Sequence, residues 1–316
     1  MKETRTAPGI AEIRAAHQRI AGYIHRTPVI HSHLLDELAA CSLGFKCENL
    51  QKVGAFKARG ALNAVLGLSD GETAVATHSS GNHAAALALA ASVRGLAAHI
   101  VMPSNAPQVK KEAVLAYGGL VTECEPTLAA REATLQQVVE RTGAHVVHPY
   151  HDARIIAGQG TAALELLEQM PDVEVVVVPV GGGGLLAGVA LAIKAINPGI
   201  EIVAAEPAGA DDAFRSFGLG RLVLQDNPQT IADGLLTSLG ELNYAIIREH
   251  VDTIVTVEEA SIVRAMRLQW TRLKSVVEPS GAVSFAAVLE HPERFSGRRV
   301  ACVISGGNVD LDNLPW

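Results

Sequence analysis

The sequence predicts an α/β fold: two lobes of twisted, mostly parallel sheet covered by helices. Three observations predict it. Strand-like and helix-like segments alternate almost to the end of the 316 residues, the pattern of parallel strands joined by covering helices. That length exceeds one typical domain. Glycine-rich loops follow several of the strands, where ligands sit in open α/β sheets. Hydrophobic residues make up 48% of the chain and aromatics only 4%, so the core is mostly Ala, Val, Leu and Ile.

In chain order, the first helix candidate is Ile10–Ala21 and the first strand Phe45–Glu48. Helix Phe56–Leu68 follows. Strand Thr73–Thr77 leads into an alanine-rich helix, Gly81–Val93. Strand Ala98–Met102 stops at Pro103, and helix Pro107–Tyr117 stops at Gly118-Gly119, because proline and glycine punctuate both element types. Strand Leu120–Cys124 and helix Leu128–Arg141 complete a βαβαβα block. Helix Arg154–Met170 follows, and a second block runs from Leu164 onward. Strand Val173–Val178 is rich in β-branched residues and reads as buried. Helix Leu185–Ile196, strand Ile200–Ala205, helices Asp212–Phe217 and Asn243–Glu249, and strand Thr253–Val257 follow. Helices Glu259–Ser275 and Ala282–His291 and strand Arg299–Ile304 end the series. Residues 53–147 are expected to form a small lobe, with Lys57 near its boundary. Residues 1–52 and 148–316 are expected to form a large one.

A net charge of −7 disfavours nucleic acid as a partner, and no basic patch with interleaved aromatics offsets it. No apolar run approaches the ~20 residues of a membrane span. Met1 to His17 mixes charges and lacks the apolar core of a signal peptide. Cys41, Cys47, Cys124 and Cys302 have neither zinc spacing nor the density of a disulfide scaffold. A reduced, cytoplasmic protein is expected.

Four segments carry chemistry. Lys57 sits in Gly54-Ala55-Phe56-Lys57-Ala58-Arg59-Gly60, among residues that read as packed surface. Burial lowers a lysine pKa and makes the amine nucleophilic, the condition for Schiff-base chemistry with an aldehyde cofactor. Ser79-Ser80-Gly81-Asn82-His83 opens a helix, whose first N–H groups suit a carboxylate. N-capping needs one hydroxyl, not this set. Gly181-Gly182-Gly183-Gly184 lets the backbone aim several N–H groups at one phosphate. Ser305-Gly306-Gly307-Asn308 follows the last strand and offers a hydroxyl to a heteroaromatic nitrogen.

Together these segments describe a pyridoxal phosphate site. The chain resembles the fold-type II pyridoxal-phosphate enzymes, with the tryptophan synthase β-like fold. The resemblance lies in the branch of serine/threonine dehydratases, serine racemase and 3-hydroxyaspartate dehydratases. It runs from Arg26-Thr27-Pro28 to Ser305-Gly306-Gly307-Asn308-Val309-Asp310 and includes His148-Pro149, Ala157-Gly158-Gln159-Gly160-Thr161, Ile231-Ala232-Asp233-Gly234 and Glu278-Pro279.

The resemblance implies a lyase that removes water from a β-hydroxy amino acid, giving a 2-oxo acid and ammonia. It implies Lys57 as the cofactor-bound amine and base. Further cofactor contacts are expected from Phe56, Asn82, Gly181, Gly182, Gly183, Gly184, Glu278, Ser305 and Gly306. The substrate is expected against Ser79, Ser80, Asn82, His83 and Arg131. Ser80 is what the racemase branch carries, where it protonates the opposite face. Ala55 replaces the commoner serine and resembles the hydroxyaspartate branch. A β-carboxylate then needs a cation, and Arg131 and His148 are the candidates. Glu206, the Ala210 carbonyl and Asp212 resemble a divalent-cation site, and hard oxygen ligands suit Mg²⁺, Mn²⁺ or Ca²⁺. The same acids would also suit a helix start. A homodimer is expected.

Three competing readings stay open. Gly182-x-Gly184-x-x-Ala187, then a strand ending at Glu206, also fits a dinucleotide fingerprint and hence an NAD-dependent oxidoreductase. A non-catalytic amino-acid-binding protein has no use for Lys57. Within the family, β-replacement is the nearest alternative reading.

Overall fold

A computed structural model describes residues 6–316; part of the mixed-charge leader, residues 1–5, lies outside the described residues. The strands are β1 (Val29–Ile30), β2 (Ser42–Cys47), β3 (Ala74–His78), β4 (Ala97–Pro103) and β5 (Leu120–Cys124). Then come β6 (His145–Val146), β7 (Val175–Pro179), β8 (Glu201–Pro207), β9 (Thr253–Val257) and β10 (Arg299–Ile304). The helices are α1 (Ile10–Ile20), α2 (His33–Ala39), α3 (Lys57–Leu66), α4 (Asn82–Arg94), α5 (Gln108–Ala116), α6 (Leu128–Thr142) and α7 (Ala153–Gln169). They continue as α8 (Gly184–Ile196), α9 (Asp212–Leu219), α10 (Glu241–His250), α11 (Glu259–Leu268), α12 (Pro279–Glu290) and α13 (Pro292–Phe295).

Two sheets form. A six-stranded sheet runs β1-β2-β10-β7-β8-β9, and a four-stranded sheet runs β5-β4-β3-β6. Every pairing is parallel except β1 with β2. The valine run of β7 explains why the larger sheet is covered on both faces. Val175 and Val177 point into one apolar cluster, Val176 and Val178 into the other. Side chains alternate along a strand, so a run without polar residues must bury both faces. Each fully buried valine stabilises the sheet by roughly 1.5–3 kcal/mol.

Three helices pack backbone to backbone behind the site. A Cβ on Gly158 of α7 would lie 2.6 Å from the Cα of Gly60 on α3. One on Gly188 of α8 would lie 2.6 Å from the nitrogen of Gly160 on α7. This contact reverses the usual sign of a substitution. Glycine to alanine in a helix interior ordinarily stabilises by about 0.5–1 kcal/mol. Gly188→Ala is expected instead to destabilise by about 1–3 kcal/mol, because backbone must move. A urea-denaturation midpoint above wild type would show that the crossing is loose.

Two expected helices have different ends. The helix expected over Glu259–Ser275 ends at Leu268, continues as one π-turn over Gln269–Leu273, and stops at Lys274 with φ 56°. The helix expected from Ala282 starts at Pro279, whose missing N–H costs nothing at a first position.

Candidate active site

A cleft of about 460 Å³ opens at the carboxyl ends of both sheets. Loops after β3, β6, β7 and β10 line it, bringing together Lys57, Ser79, Ser80, Asn82, Gly181–Gly184 and Ser305. Phe56, His83, Arg131 and Glu278 also line it.

Lys57 begins α3. The turn before it is unusual, since Val53 and Gly54 have φ 56° and 69°. A β-branched residue in the left-handed region is strained and must be held by its surroundings. The hold comes from the β10 exit, where Phe56 N–H donates to the Ser305 carbonyl at 3.1 Å and Gly307 N–H to the Gly54 carbonyl at 2.9 Å. Lys57 Nζ donates to the Pro149 carbonyl at 2.9 Å. No carboxylate pairs with it among the described residues. Desolvation therefore lowers its pKa to about 8.

Helices α4 and α8 both start without a side-chain cap. Their first N–H groups have no partner inside the helix, so each start is open to an anion. Ser79 Oγ accepts from Gly81 N–H at 3.3 Å and shapes the turn before α4. At α8 a Cβ on Gly182 would strike the Tyr150 ring, and Gly183 has φ 85°. Asn243 Nδ2 donates to the carbonyls of Gly182 and Tyr150 and so fastens the two loops.

His83 is buried, and its Nε2 donates to the Val147 carbonyl at 3.2 Å. Burial, with Lys57 nearby, holds it neutral. His148 lies outside the cleft lining; burial lowers its pKa to about 3. Its Nδ1 accepts the N–H groups of Tyr150 and His151. Among the described residues Arg131 makes no ion pair, and its buried Nε has no partner. Glu278 is 4% exposed; burial, then Asp233, raises its pKa to about 8. Gly306 does not line the cleft: it makes room for Glu278, whose carboxylate a Cβ there would strike.

A family model described as "Pyridoxal-phosphate dependent enzyme" matches residues 20–306. The chain belongs to the pyridoxal-phosphate-dependent enzymes. It is 51% identical over 311 residues to a β-hydroxyaspartate dehydratase of Paracoccus denitrificans (strain Pd 1222), covering 98% of this chain and 99% of that one. It is 51% identical over 315 residues to a serine racemase of Arabidopsis thaliana, covering 98% and 95%. The structure of maize serine racemase superposes with a TM-score of 0.95 at 47% identity, covering 97% and 95%. These matches establish the fold-type II architecture.

The residues fit the pyridoxal phosphate that this family implies. An uncapped, glycine-lined helix start suits its phosphate, and a desolvated amine without a carboxylate partner suits its aldehyde. The dinucleotide reading falls with family membership, and Glu206 has another task. Its two oxygens accept the N–H groups of Ala213 and Phe214 at 3.0 and 2.8 Å, capping α9.

Glu206, Ala210 and Asp212 lie together at that cap, apart from the cleft lining. Asp212 Oδ2 accepts from Leu239 N–H at 2.9 Å, and its buried Oδ1 has no partner. Burial raises Glu206 well above the usual carboxylate range and Asp212 to about 6. Among the described residues no cluster of three His, Cys, Asp or Glu side chains is placed to hold a metal. A cation here would need the Ala210 carbonyl and water. No helix is long and apolar enough to cross a membrane.

Tyr150, Pro149, Lys110, Asp233 and His78 also line the cleft and were assigned no role by sequence reasoning. Lys110 and Asp233 form an ion pair there. Asp233 and Pro149 fall inside stretches that carry the family resemblance, which is the signal that could have found them.

Proposed function

We propose that the chain is a pyridoxal-phosphate-dependent dehydratase whose substrate is 3-hydroxyaspartate, converted to a 2-oxo acid and ammonia. The observation that carries the substrate is Arg131: a cleft-lining guanidinium with no acidic partner and an unsatisfied buried nitrogen. A second carboxylate on the substrate would supply what it lacks. When bound, pyridoxal phosphate supplies the electron sink that allows an amino acid Cα–H bond to ionise. Lys57, half deprotonated near pH 8, takes the Cα proton. The same residue, once charged, can return a proton to the departing hydroxyl as water forms. The open start of α4, with Ser79, Ser80, Asn82 and His83, holds the α-carboxylate. Ser305 offers the ring nitrogen a hydroxyl rather than a charge, which keeps the sink weak and favours prompt loss of the β-substituent.

The test is a substrate panel: L- and D-serine, threonine and both 3-hydroxyaspartate diastereomers, scored for ammonia and 2-oxo acid. Turnover of serine or threonine with neither hydroxyaspartate isomer consumed would overturn the substrate assignment.

A second reading, serine or threonine dehydration with serine or aspartate racemisation, is favoured by Ser80 in the cleft. Racemisation needs an acid on the face opposite Lys57. Ser80→Ala is expected to remove solvent-deuterium incorporation into the antipode while most dehydratase activity persists. A parallel fall in both would make Ser80 a carboxylate ligand only.

The unpartnered Asp212 oxygen supports a Mg²⁺, Mn²⁺ or Ca²⁺ site with Glu206 and Ala210. Chelation is expected to lower the melting temperature, and those cations to restore it. An indifferent melting curve with no metal by elemental analysis would refute the site. Residues 53–147, around the four-stranded sheet, are proposed as the small lobe. A homodimer in the reducing cytoplasm is proposed on the family resemblance and four free cysteines; sedimentation velocity tests the dimer.

A further inference from the structure

The side-chain amide of Asn82 is bonded at both ends. Its Nδ2 donates to Glu278 Oε1 at 2.8 Å, and its Oδ1 accepts from Asn308 Nδ2 at 2.9 Å. Glu278 Oε2 accepts the backbone N–H of Asn308 at 3.0 Å. Asn82, Glu278 and Asn308 thus close a ring of hydrogen bonds.

The ring has a defined sense. Both donors to Glu278 need an acceptor oxygen, and the Asn308 amide already gives its NH2 to the Val53 carbonyl at 2.7 Å. Asn82 must therefore turn its nitrogen to Glu278 and its oxygen to Asn308. A flipped amide would set nitrogen against nitrogen at Asn308, and could bond Glu278 only through a protonated carboxyl. The ring is also tied to the lysine segment. Asn308 holds the left-handed Val53, and the next residues, Gly307 to Ser305, bind Gly54, Ala55 and Phe56 in turn. Gly306 has no side chain because Glu278 occupies that space.

We infer that Glu278 and Asn308 are positioning residues that act through Asn82, fixing the sense of its amide and holding it in register with Lys57 and Ser305. The inference rests on the cofactor site proposed above. With the sense fixed, the second N–H of Asn82 remains for a ligand in the cleft, so the ligand atom that meets it must be an acceptor. On the pyridine ring such an atom is the ring oxygen in its ionised form. A flipped or wandering amide loses that preference. The visible absorption of the bound cofactor reports the ionisation, which a merely structural role would not move.

The test uses the holoenzyme and cofactor-free protein prepared from it. Glu278→Gln offers one acceptor to two donors. Asn308→Ala removes the Val53 and Asn82 bonds from an exposed position, where folding is least at risk. Each variant is expected to bind pyridoxal phosphate about tenfold more weakly and to change the ratio of its absorption bands, while the melting temperature of the cofactor-free protein stays near wild type. In an Asn82→Ala background Glu278→Gln should not weaken binding further, because neighbours that act through one residue are not additive. Wild-type affinity and bands in Asn308→Ala, or effects that add in the Asn82→Ala, Glu278→Gln double variant, would overturn the inference. Failure of the wild-type chain to bind the cofactor would instead refute the site reading itself.

Discussion

Lys57→Ala is expected to abolish turnover, with a loss of at least about 10³-fold. The side chain is the one amine that the cleft desolvates without pairing; Lys110, the other lysine there, is neutralised by Asp233. Nothing else in the lining matches it in reach and basicity: burial holds His83 neutral and bonds it to the Val147 carbonyl, and burial lowers the pKa of His78. Borohydride treatment of wild-type holoenzyme should fix the cofactor to the peptide containing Lys57, and the variant should escape labelling. The pH dependence has a definite sign. The neutral amine is the reactive form, so the rate at which cofactor-free protein captures the aldehyde should rise as pH passes through about 8. Ammonia release by the variant within tenfold of wild type would end the assignment.

Arg59→Ala is expected to cost stability on the order of 3–5 kcal/mol. Arg59 is fully buried two residues after Lys57, and so are Glu48, Glu165 and Lys46. The guanidinium grips Glu48 through Nε at 2.7 Å and Nη2 at 2.8 Å, and Glu165 through Nη1 and Nη2 at 2.8 Å each. Lys46 completes the set at 2.7 Å from Glu165. Two cations thus face two anions, and every charge depends on its partner. Removing the arginine strands two carboxylates against one lysine. Arg59→Lys should not restore stability, since an ammonium cannot hold two carboxylates with a planar fork. Urea denaturation of the holoenzyme measures the loss; a change below about 1 kcal/mol would mean that water reaches the quartet.

Much of this architecture was legible, for physical reasons. Leu120–Cys124, Thr253–Val257 and Arg299–Ile304 stand as expected because apolar runs bounded by polar or glycine residues have one good use. The strands Val29–Ile30 and His145–Val146 went unread, since two residues carry no periodicity. The π-turn after Leu268 went unread because the apolar pattern continues through it. Lys57, the Ser79–His83 segment, the four glycines and Ser305 were readable because each needs a residue type that ordinary packing does not explain. Tyr150, Lys110 and Asp233 were not. They reach the cleft from places far apart in the chain, Lys110 from the first turn of α5, and only Asp233 falls in a stretch that carries the family resemblance.

The position of β10 sets an order of assembly. The strand of the larger sheet that comes last in chain order lies between β2 and β7, with Ala301 paired to both Gly44 and Val176. Until it arrives, the larger sheet is two unconnected pieces separated by an empty lane, and the apolar faces that β10 would cover are exposed to the solvent. The smaller sheet needs only residues 74–146 and is complete well before then. A nascent chain therefore carries a finished half and an unfinished one for much of translation, the condition in which partly folded chains associate wrongly. Because the same strand also delivers Ser305 and the loop that steadies Val53, the cleft stays incomplete until residues 299–308 have joined the sheet. A polypeptide that stops short of β10 has the smaller sheet and no finished cleft.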